Sequence, residues 1–377
     1  VAMVEAIARS QGRSTAAFTS PHLHFLNERI RVDGAPIDDD AFARSLADVL
    51  NPAVPWLTFF EGIAACFFVA ARYAEVDTAI VEVGLGGRLD ATNLIGPPAA
   101  AAIVSIGLDH TRILGPDHAT IASEKAGIIK TGSPVVLGPL VRAAYPPIAE
   151  RINTVGAGPV YAVLDDGPPP PLPDAIPLHL SDGHMRVHDE MSALSPPLSG
   201  AHQRANAAVA VGCAIAAGWG QFKPLVAGLR DTHWPGRLER VDLDGDRYVL
   251  FDAAHNVDGA SALGDYLSHD PRPTTLIFGA MADKPWPEML DRLAPHASAR
   301  CYAPALEERI AQRTPAPPDA LAAHHAGEAW ATAALAWRRA VEVTPAGGRI
   351  VVAGSLFLLG AVRAVALGLP RDVTVPL

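Results

Sequence analysis

The stretch from Ile80 to Lys130 limits what this chain can fold into more than any other part of it. Ile80-Val81-Glu82-Val83 is an apolar run with one carboxylate inside it. It ends in Gly84-Leu85-Gly86-Gly87-Arg88-Leu89-Asp90-Ala91-Thr92-Asn93, a turn that bares backbone amides and then supplies polar side chains. A second apolar run, Ala99–Ile106, ends in Gly107-Leu108-Asp109-His110, and a helix then carries Glu124-Lys125-Ala126-Gly127-Ile128-Ile129-Lys130. Apolar strands that end in glycine, then acids or histidine, are how open α/β sheets present ligand sites at strand carboxyl ends. The pattern predicts strand, turn, strand, loop and helix, with chemistry at the turns.

The rest of the chain extends that alternation. Val1–Gln11 has helical spacing and stops at Gly12, and Thr15–Phe18 is a strand leading into Thr19-Ser20-Pro21-His22. Asp38–Leu50 is an amphipathic helix with acids at its start. Another helix opens at Thr58 and runs to about Ala74, with Thr58 and Glu61 spaced as a capping box. Pro134–Leu137 reads as a strand, Arg142–Ile152 as a helix, the proline-rich Asp165–Leu198 as a small β appendage, and Ala201–Ala217 as an apolar helix. Around Thr232–Arg237 the pattern restarts, which divides the chain into domains 1–233 and 234–377. In the second, Tyr248–Asp252, Thr274–Phe278, Ala299–Tyr302 and Ile350–Ala353 alternate with helical segments at Gly259–Leu267, Pro287–Leu293, Glu328–Val343 and Leu356–Leu367. That order predicts a parallel sheet with helices on both faces.

Composition removes several function classes. With 377 residues, 49% of them hydrophobic and 19% charged, the chain can build two real cores. A net charge of −10 argues against a broad nucleic-acid or anionic-membrane footprint. Cys66, Cys213 and Cys301 are far apart, form no CxxC pair and lie in apolar contexts, as reduced thiols of a cytoplasmic protein do. The most membrane-like stretch, Ile350–Leu369, contains Gly354-Ser355 and Arg363 and parses as strand, turn and helix. Of the 30 basic side chains only Lys125, Lys130, Lys223 and Lys284 are lysines. Where arginine has nearly displaced lysine, a remaining lysine is a candidate for work that needs a primary amine, with chance as the alternative.

Ser20, Glu82, His110 and Lys125 are the first group of candidate functional residues. Ser20 and His110 should lie just beyond strand ends and Glu82 near another, where a doubly wound sheet gathers them. A carboxylate, a hydroxyl and an imidazole together suit Mg²⁺ or Mn²⁺. Taken alone, His110 reads first as a capping or loop histidine. The glycines at 84, 86 and 87 are not a dinucleotide fingerprint, because Leu89 stands where the third glycine belongs. Asp252 closes a strand in Asp252-Ala253-Ala254-His255-Asn256, with Arg237 ahead of that strand. An aspartate there can hold ribose hydroxyls and an arginine can clamp phosphate; the alternative for Asp252 is an N-cap. The sequence contains no Gly-Lys dipeptide, hence no Walker-type loop, and no Gly-x-Ser-x-Gly elbow.

Together the blocks TSPHLHFLNERIRVDG (19–34), LTFFE (57–61), VEVGLGGRLDATN (81–93), SIGLDH (105–110), SEKAGIIK (123–130), HQRAN (202–206), WPGRLER (234–240), DAAHN (252–256), GAMADK (279–284) and GSLFLLG (354–360) resemble the folylpolyglutamate synthase/dihydrofolate synthase family of Mur-type amide ligases. The resemblance implies a Mur-ligase-like α/β fold, with an N-terminal ATPase-type domain bearing the β appendage and a Rossmann-like C-terminal glutamate-ligase domain. It implies an enzyme of folate biosynthesis and polyglutamylation; the acidic charge, the reduced cysteines and the lack of an obvious exposed apolar helix add the expectation of a cytoplasmic monomer without nucleic-acid or membrane partners. Its reaction joins L-glutamate to dihydropteroate, to a reduced folate, or to both, through an acyl phosphate. ATP, Mg²⁺ and a monovalent cation such as K⁺ are the implied cofactors.

Residue by residue, Ser20, Glu82 and His110 fall where the family places Mg²⁺ ligands, and Lys125 where it carbamylates a lysine that binds a second metal. Asn206, Arg237 and Asp252 match nucleotide contacts reached across the domain interface, with His255 beside them in the same motif. Thr58, Phe59, Phe60, Leu89 and Asp90 match the pterin side, where aromatic stacking suits a flat heterocycle. The family's glycine-rich phosphate loop precedes the helix that begins here at Val1. The expectation is therefore a chain truncated before its first helix and impaired as it stands. Another Mur-type ligase, or a non-catalytic nucleotide or folate binder, is the alternative.

Overall fold

The structure, a computed structural model, describes residues 1–50, 57–165, 170–196, 198, 200, 202–306 and 314–372. The described residues of 1–22, 27–197 and 201–233 form one compact unit, and those of 23–26, 198–200 and 234–377 another.

In the first unit the helix α1 (Ala2–Ser10) leads through Gly12, at φ 75°, into strand β1 (Thr15–Phe18), whose four residues are all buried. β2 (Ile30–Val32) and β3 (Ala35–Pro36) fold back antiparallel. The helix α2 (Asp39–Val49) is capped by the Asp38 side chain. Next comes α3 (Phe59–Tyr73), which has the anticipated capping box: Thr58 N–H donates to Glu61 Oε2 at 2.7 Å and Glu61 N–H to Thr58 Oγ1 at 3.3 Å. β4 (Thr78–Val81) then pairs parallel to β1, with Phe18 opposite Val81.

A second sheet is built from β5 (Ala101–Ile103), β6 (Val135–Leu137), β7 (Val160–Asp165), β8 (Ile176–Ser181), β9 (His184–Val187) and β10 (Glu190–Ala193), with order β10-β9-β8-β7-β6-β5. Helices α4 (Thr111–Leu114), α5 (His118–Ala126), α6 (Tyr145–Val155), α7 (His202–Ala216) and α8 (Phe222–Ala227) accompany it.

Three expectations change in this unit. Its strands form two sheets rather than one, in orders β3-β2-β1-β4 and β10-β9-β8-β7-β6-β5. The buried run expected over Ala99–Ile106 pairs only as β5, because its partner β6 ends at Leu137, after which Gly138 N–H donates to Ile103 O at 2.9 Å. The β appendage is continuous with the main sheet: β8 pairs parallel to β7, and only β9 and β10 turn back as an antiparallel meander. Ala201, the first residue of the expected Ala201–Ala217 helix, lies outside the described residues.

The second unit holds one sheet of order β11-β12-β16-β13-β14-β15. Its strands are β11 (Glu239–Leu243), β12 (Arg247–Phe251), β13 (Thr274–Phe278), β14 (Ala299–Tyr302), β15 (Glu328–Ala329) and β16 (Arg349–Ala353). All pairings are parallel except β11 with β12. The helices are α9 (Val257–Ser268), α10 (Trp286–Leu293), α11 (Pro318–His324), α12 (Ala333–Val343) and α13 (Leu356–Leu367). β13 and β16 are buried along their whole length, which explains their unbroken apolar runs. The helix expected over Glu328–Val343 is split. Its first two residues pair with Cys301 and Tyr302 as the edge strand β15, and Thr332 caps α12 by accepting from Leu335 N–H at 3.2 Å. Among the described residues no helix is long and apolar enough to cross a membrane.

Candidate active site

In the first unit Ser20 and Glu82 sit just past the ends of β1 and β4, whereas His110, expected just beyond a strand end, lies well past the end of β5 at Ile103, at the N-cap of α4. Glu82 N–H donates to Phe18 O at 3.0 Å, which carries the β1–β4 pairing one residue past the strand. The Glu82 carboxylate then accepts from Ser20 N–H at 2.9 Å, so Ser20 and Glu82 are brought together directly. Arg29 lies beneath them, only 2% exposed. Its Nε donates to His22 Nδ1 at 3.0 Å, and its guanidinium stands 5.4 Å from the Phe59 ring centroid. Burial lowers the Arg29 pKa to about 10, while the negative charge of Glu82 pulls it back up. Sequence reasoning gave Arg29 no role; a cation directly ahead of the apolar strand β2 was the available signal.

His110 and Lys125 gather around Asp109. His110 occupies the N-cap position of α4 in the left-handed region, φ 52°, and its backbone N–H donates to Asp109 Oδ1 at 2.8 Å. Its Nε2 is 4.0 Å from Asp109 Oδ2, and its side chain makes no capping bond. His110 therefore has the position of a capping residue without doing a cap's work. Lys125, near the end of α5, is mostly buried; burial lowers its pKa and Asp109 opposes that shift. A lysine in that state offers a neutral amine more readily than a surface lysine does. Asp109 is the partner both residues share, and sequence reasoning did not single it out.

The glycine turn is clamped onto α5 and α3. A Cβ on Gly87, at φ 154°, would come within 3.1 Å of the carbonyl oxygens of Glu124 and Lys125, so only glycine lets the turn approach the helix end. Arg88 N–H donates to Glu124 O at 2.9 Å and its guanidinium pairs with Glu124 Oε1 at 2.9 Å. Lys130 Nζ donates to the carbonyl oxygens of Asn93 and Ile95, which assigns a second scarce lysine to holding the loop. Asp90 folds the turn internally, accepting from Leu85 N–H at 2.9 Å and Thr92 N–H at 3.0 Å. Phe60 meets Phe18 edge-on at 5.8 Å and packs over Gly84. Leu89, by contrast, is 80% exposed. On α7, Asn206 Nδ2 donates to Gln203 Oε1 at 3.1 Å.

In the second unit β16 lies between β12 and β13, so the loops after these three strands converge. Gly354, at φ 106°, donates its N–H to Ala254 O at 2.9 Å, and a Cβ there would reach 2.7 Å from Gly279 O. Asp252 accepts from Leu238 N–H at Oδ2 and Ala254 N–H at Oδ1, both at 3.0 Å. Burial raises its pKa, and the charge of Arg237 and those two bonds oppose the shift. The N-cap alternative for Asp252 is corrected: Asn256 caps α9, accepting from Gly259 N–H at 2.8 Å. Asp252 instead ties the Arg237 loop to the strand end. Arg363 reinforces that loop with a two-pronged pair to Glu239, at 2.9 and 2.7 Å. His255 Nδ1 lies 2.8 Å from Ala253 O, which turns Nε2 away from the strand end.

The donor set fits a divalent cation. By donor type, Glu82 offers a carboxylate tied to the Ser20 N–H, Ser20 a hydroxyl, and His110 an imidazole at the N-cap of α4.

Comparisons with known proteins bear on the family and the fold. Residues 236–356 match the Mur ligase, glutamate ligase domain family. The folylpolyglutamate synthase of Lacticaseibacillus casei is 33% identical over 388 residues, covering 96% of this chain and 86% of that protein. The structure of Escherichia coli FolC in complex with DHPP and ADP superposes with a TM-score of 0.84 at 27% identity, covering 97% of this chain and 85% of the other. A bifunctional folylpolyglutamate synthase/dihydrofolate synthase with Mn, AMPPNP and L-glutamate bound gives a TM-score of 0.82 at 27% identity, over 98% and 86%. The chain belongs to the folylpolyglutamate synthase/dihydrofolate synthase family and is an ATP-dependent glutamate ligase of the Mur type.

Proposed function

We propose that the acceptor is dihydropteroate, a reduced folate, or both, and that the residues described above carry the reaction. The observation that carries the reading is the Ser20–Glu82 pair at the joined ends of two parallel strands. The related structures bound to DHPP and ADP, and to Mn, AMPPNP and L-glutamate, support the substrate set.

In this mechanism the acceptor carboxylate attacks the γ-phosphorus of ATP and ADP leaves. The amine of L-glutamate then attacks the acyl carbon, and the tetrahedral adduct collapses to an amide as inorganic phosphate departs. Both steps need in-line placement and a field that spreads the charge of the transferring group. Mg²⁺, when bound, supplies that neutralisation. Ser20 Oγ, Glu82 and His110 would hold it, and Lys125, as a carbamate, would hold a second ion. Arginine cannot replace Lys125 there, because the carbamate forms on a primary amine. Nucleotide contacts fall to Asn206 on α7 and, in the second unit, to Arg237, Asp252 and His255. The acceptor's flat ring falls to Thr58, Phe59, Phe60, Leu89 and Asp90, with Phe60 packed over Gly84 and Asp90 folding the turn.

We assign domain roles to match: 1–233 binds ATP and 234–377 is the glutamate-ligase domain. A monovalent cation such as K⁺, a monomeric state and the cytoplasm complete the reading. Burial raises the thiols of Cys66, Cys213 and Cys301 to about 11, 12 and 11, which keeps them protonated and suits a reducing compartment.

Glutamate-dependent ADP release by the full-length protein, with dihydropteroate and tetrahydrofolate tested side by side, decides the acceptor. Turnover with both means a bifunctional synthase and turnover with one a monofunctional synthase. Silence with both, in folded protein that binds ATP, overturns the proposal.

A further inference from the structure

We propose that Asp291, His324 and His325 form a divalent transition-metal site of the zinc class, built from residues that the ligase reaction does not use. The ligand atoms of all three lie within 4.8 Å of one another. His324 Nε2 and His325 Nε2 each stand 2.8 Å from the same oxygen, Asp291 Oδ1. Two imidazoles with one carboxylate are a borderline-soft donor set, suited to zinc, nickel or copper rather than to the oxygen-seeking Mg²⁺.

The three side chains are placed by rigid elements. Asp291 lies on α10, which buries Met289, Leu290 and Leu293. His324 ends α11, and its ring meets the Trp286 ring edge-on at 5.6 Å and 84°. His325 is the C-cap of α11; its N–H donates to Leu321 O at 3.0 Å, and its carbonyl accepts from the buried Tyr302 hydroxyl at 2.9 Å.

Around tetrahedral zinc, with bonds near 2.0–2.1 Å, neighbouring ligand atoms lie about 3.3 Å apart. Reaching that from the observed contacts needs an opening of about half an ångström. Each imidazole would carry its proton on Nδ1 and turn the Nε2 lone pair to the ion, with water completing the shell. The ion would then clip α11 to α10.

The test is calorimetric titration of the whole protein with zinc sulfate in buffer containing excess Mg²⁺. It compares wild type with Asp291→Asn, His324→Gln, His325→Gln and, as a control at the candidate active site, His110→Gln. Side-chain exposures of 53%, 34% and 31% for Asp291, His324 and His325 favour folded variants, which melting in EDTA checks. The expected result is one zinc equivalent that binds at least about tenfold more weakly in each of the three variants, persists in His110→Gln and raises the melting temperature of wild type. Identical zinc isotherms for wild type and the three variants, or loss of the equivalent in His110→Gln alone, would overturn the proposal.

Discussion

Ser20 and Glu82 close the ends of two parallel strands on each other: the Ser20 N–H donates to Glu82 Oε2 at 2.9 Å, just beyond the Phe18–Val81 register. One carboxylate thus both fixes the loop and offers charge at its tip. Glu82→Gln keeps an oxygen that can accept the Ser20 N–H but removes the charge. Turnover should fall by about 10² or more while the fold persists, because charge stabilisation is lost without loss of the loop bond. Arg29 loses its compensating anion in the same variant, so a modest drop in melting temperature should accompany the kinetic loss. Steady-state kinetics against Mg²⁺, with thermal melts, check both; near wild-type turnover would remove Glu82 from the metal set.

Lys125 should be required as an amine rather than as a cation. Lys125→Arg keeps the positive charge yet should lose about 10² in turnover, and acetate should partly restore Lys125→Ala by standing in for the missing carbamate. Burial lowers the Lys125 pKa, so its neutral form is more available than in an ordinary lysine, and carbamate should decline as the pH falls and the amine protonates. Carbon-13 NMR with labelled bicarbonate reads the carbamate directly. An active Lys125→Arg enzyme would show that the carbamate is dispensable.

The glycine turn should be limited by Phe60. A Cβ at Gly84 would lie 2.2 Å from Phe60 Cζ, too close without movement of the ring. Gly84→Ala should therefore cost about 1–3 kcal/mol, and adding Phe60→Leu should recover part of that loss. Urea denaturation of the two single variants and the double variant measures the coupling; strict additivity would mean that the ring does not set the limit.

Asp252 should leave a signature in stability against pH. Its folded pKa is raised above 3.8, so in the window between 3.8 and the folded value the native state holds the proton more tightly than the unfolded chain. Stability from this group therefore rises as the pH falls through that window. Wild type should gain on Asp252→Asn between neutral pH and pH values below 3.8. Parallel stability curves for the two proteins would show an unperturbed Asp252.

Much of this was legible where the cause is local. The capping box of Thr58 and Glu61 depends on residues three apart, and the glycine stop at Gly12 needs only its own φ. Ser20 and Glu82 were legible as strand-end residues because apolar runs end beside them, whereas His110 follows a run that pairs only to Ile103 and sits instead at the start of α4. What escaped depends on distant partners. Glu328 and Ala329 pair with β14 only because Cys301 and Tyr302 leave an edge there, and no local pattern distinguishes them from a helix start. Asp252 resembled an N-cap until Leu238 and Ala254 were seen to donate to it, leaving Asn256 to cap the helix. Arg29 could be read as a surface charge, and its burial over Phe59 comes from the packing of β2 against α3.

The most direct test of the acyl-phosphate ligation follows oxygen from the acceptor. Dihydropteroate or tetrahydrofolate carrying ¹⁸O at both oxygens of the reacting carboxylate is turned over with ATP and L-glutamate by the full-length enzyme, and the released phosphate is analysed by mass spectrometry. The mechanism predicts one ¹⁸O in the inorganic phosphate for each amide formed, because the bond between acyl carbon and labelled oxygen breaks as phosphate leaves. Amide formation with unlabelled phosphate would contradict it.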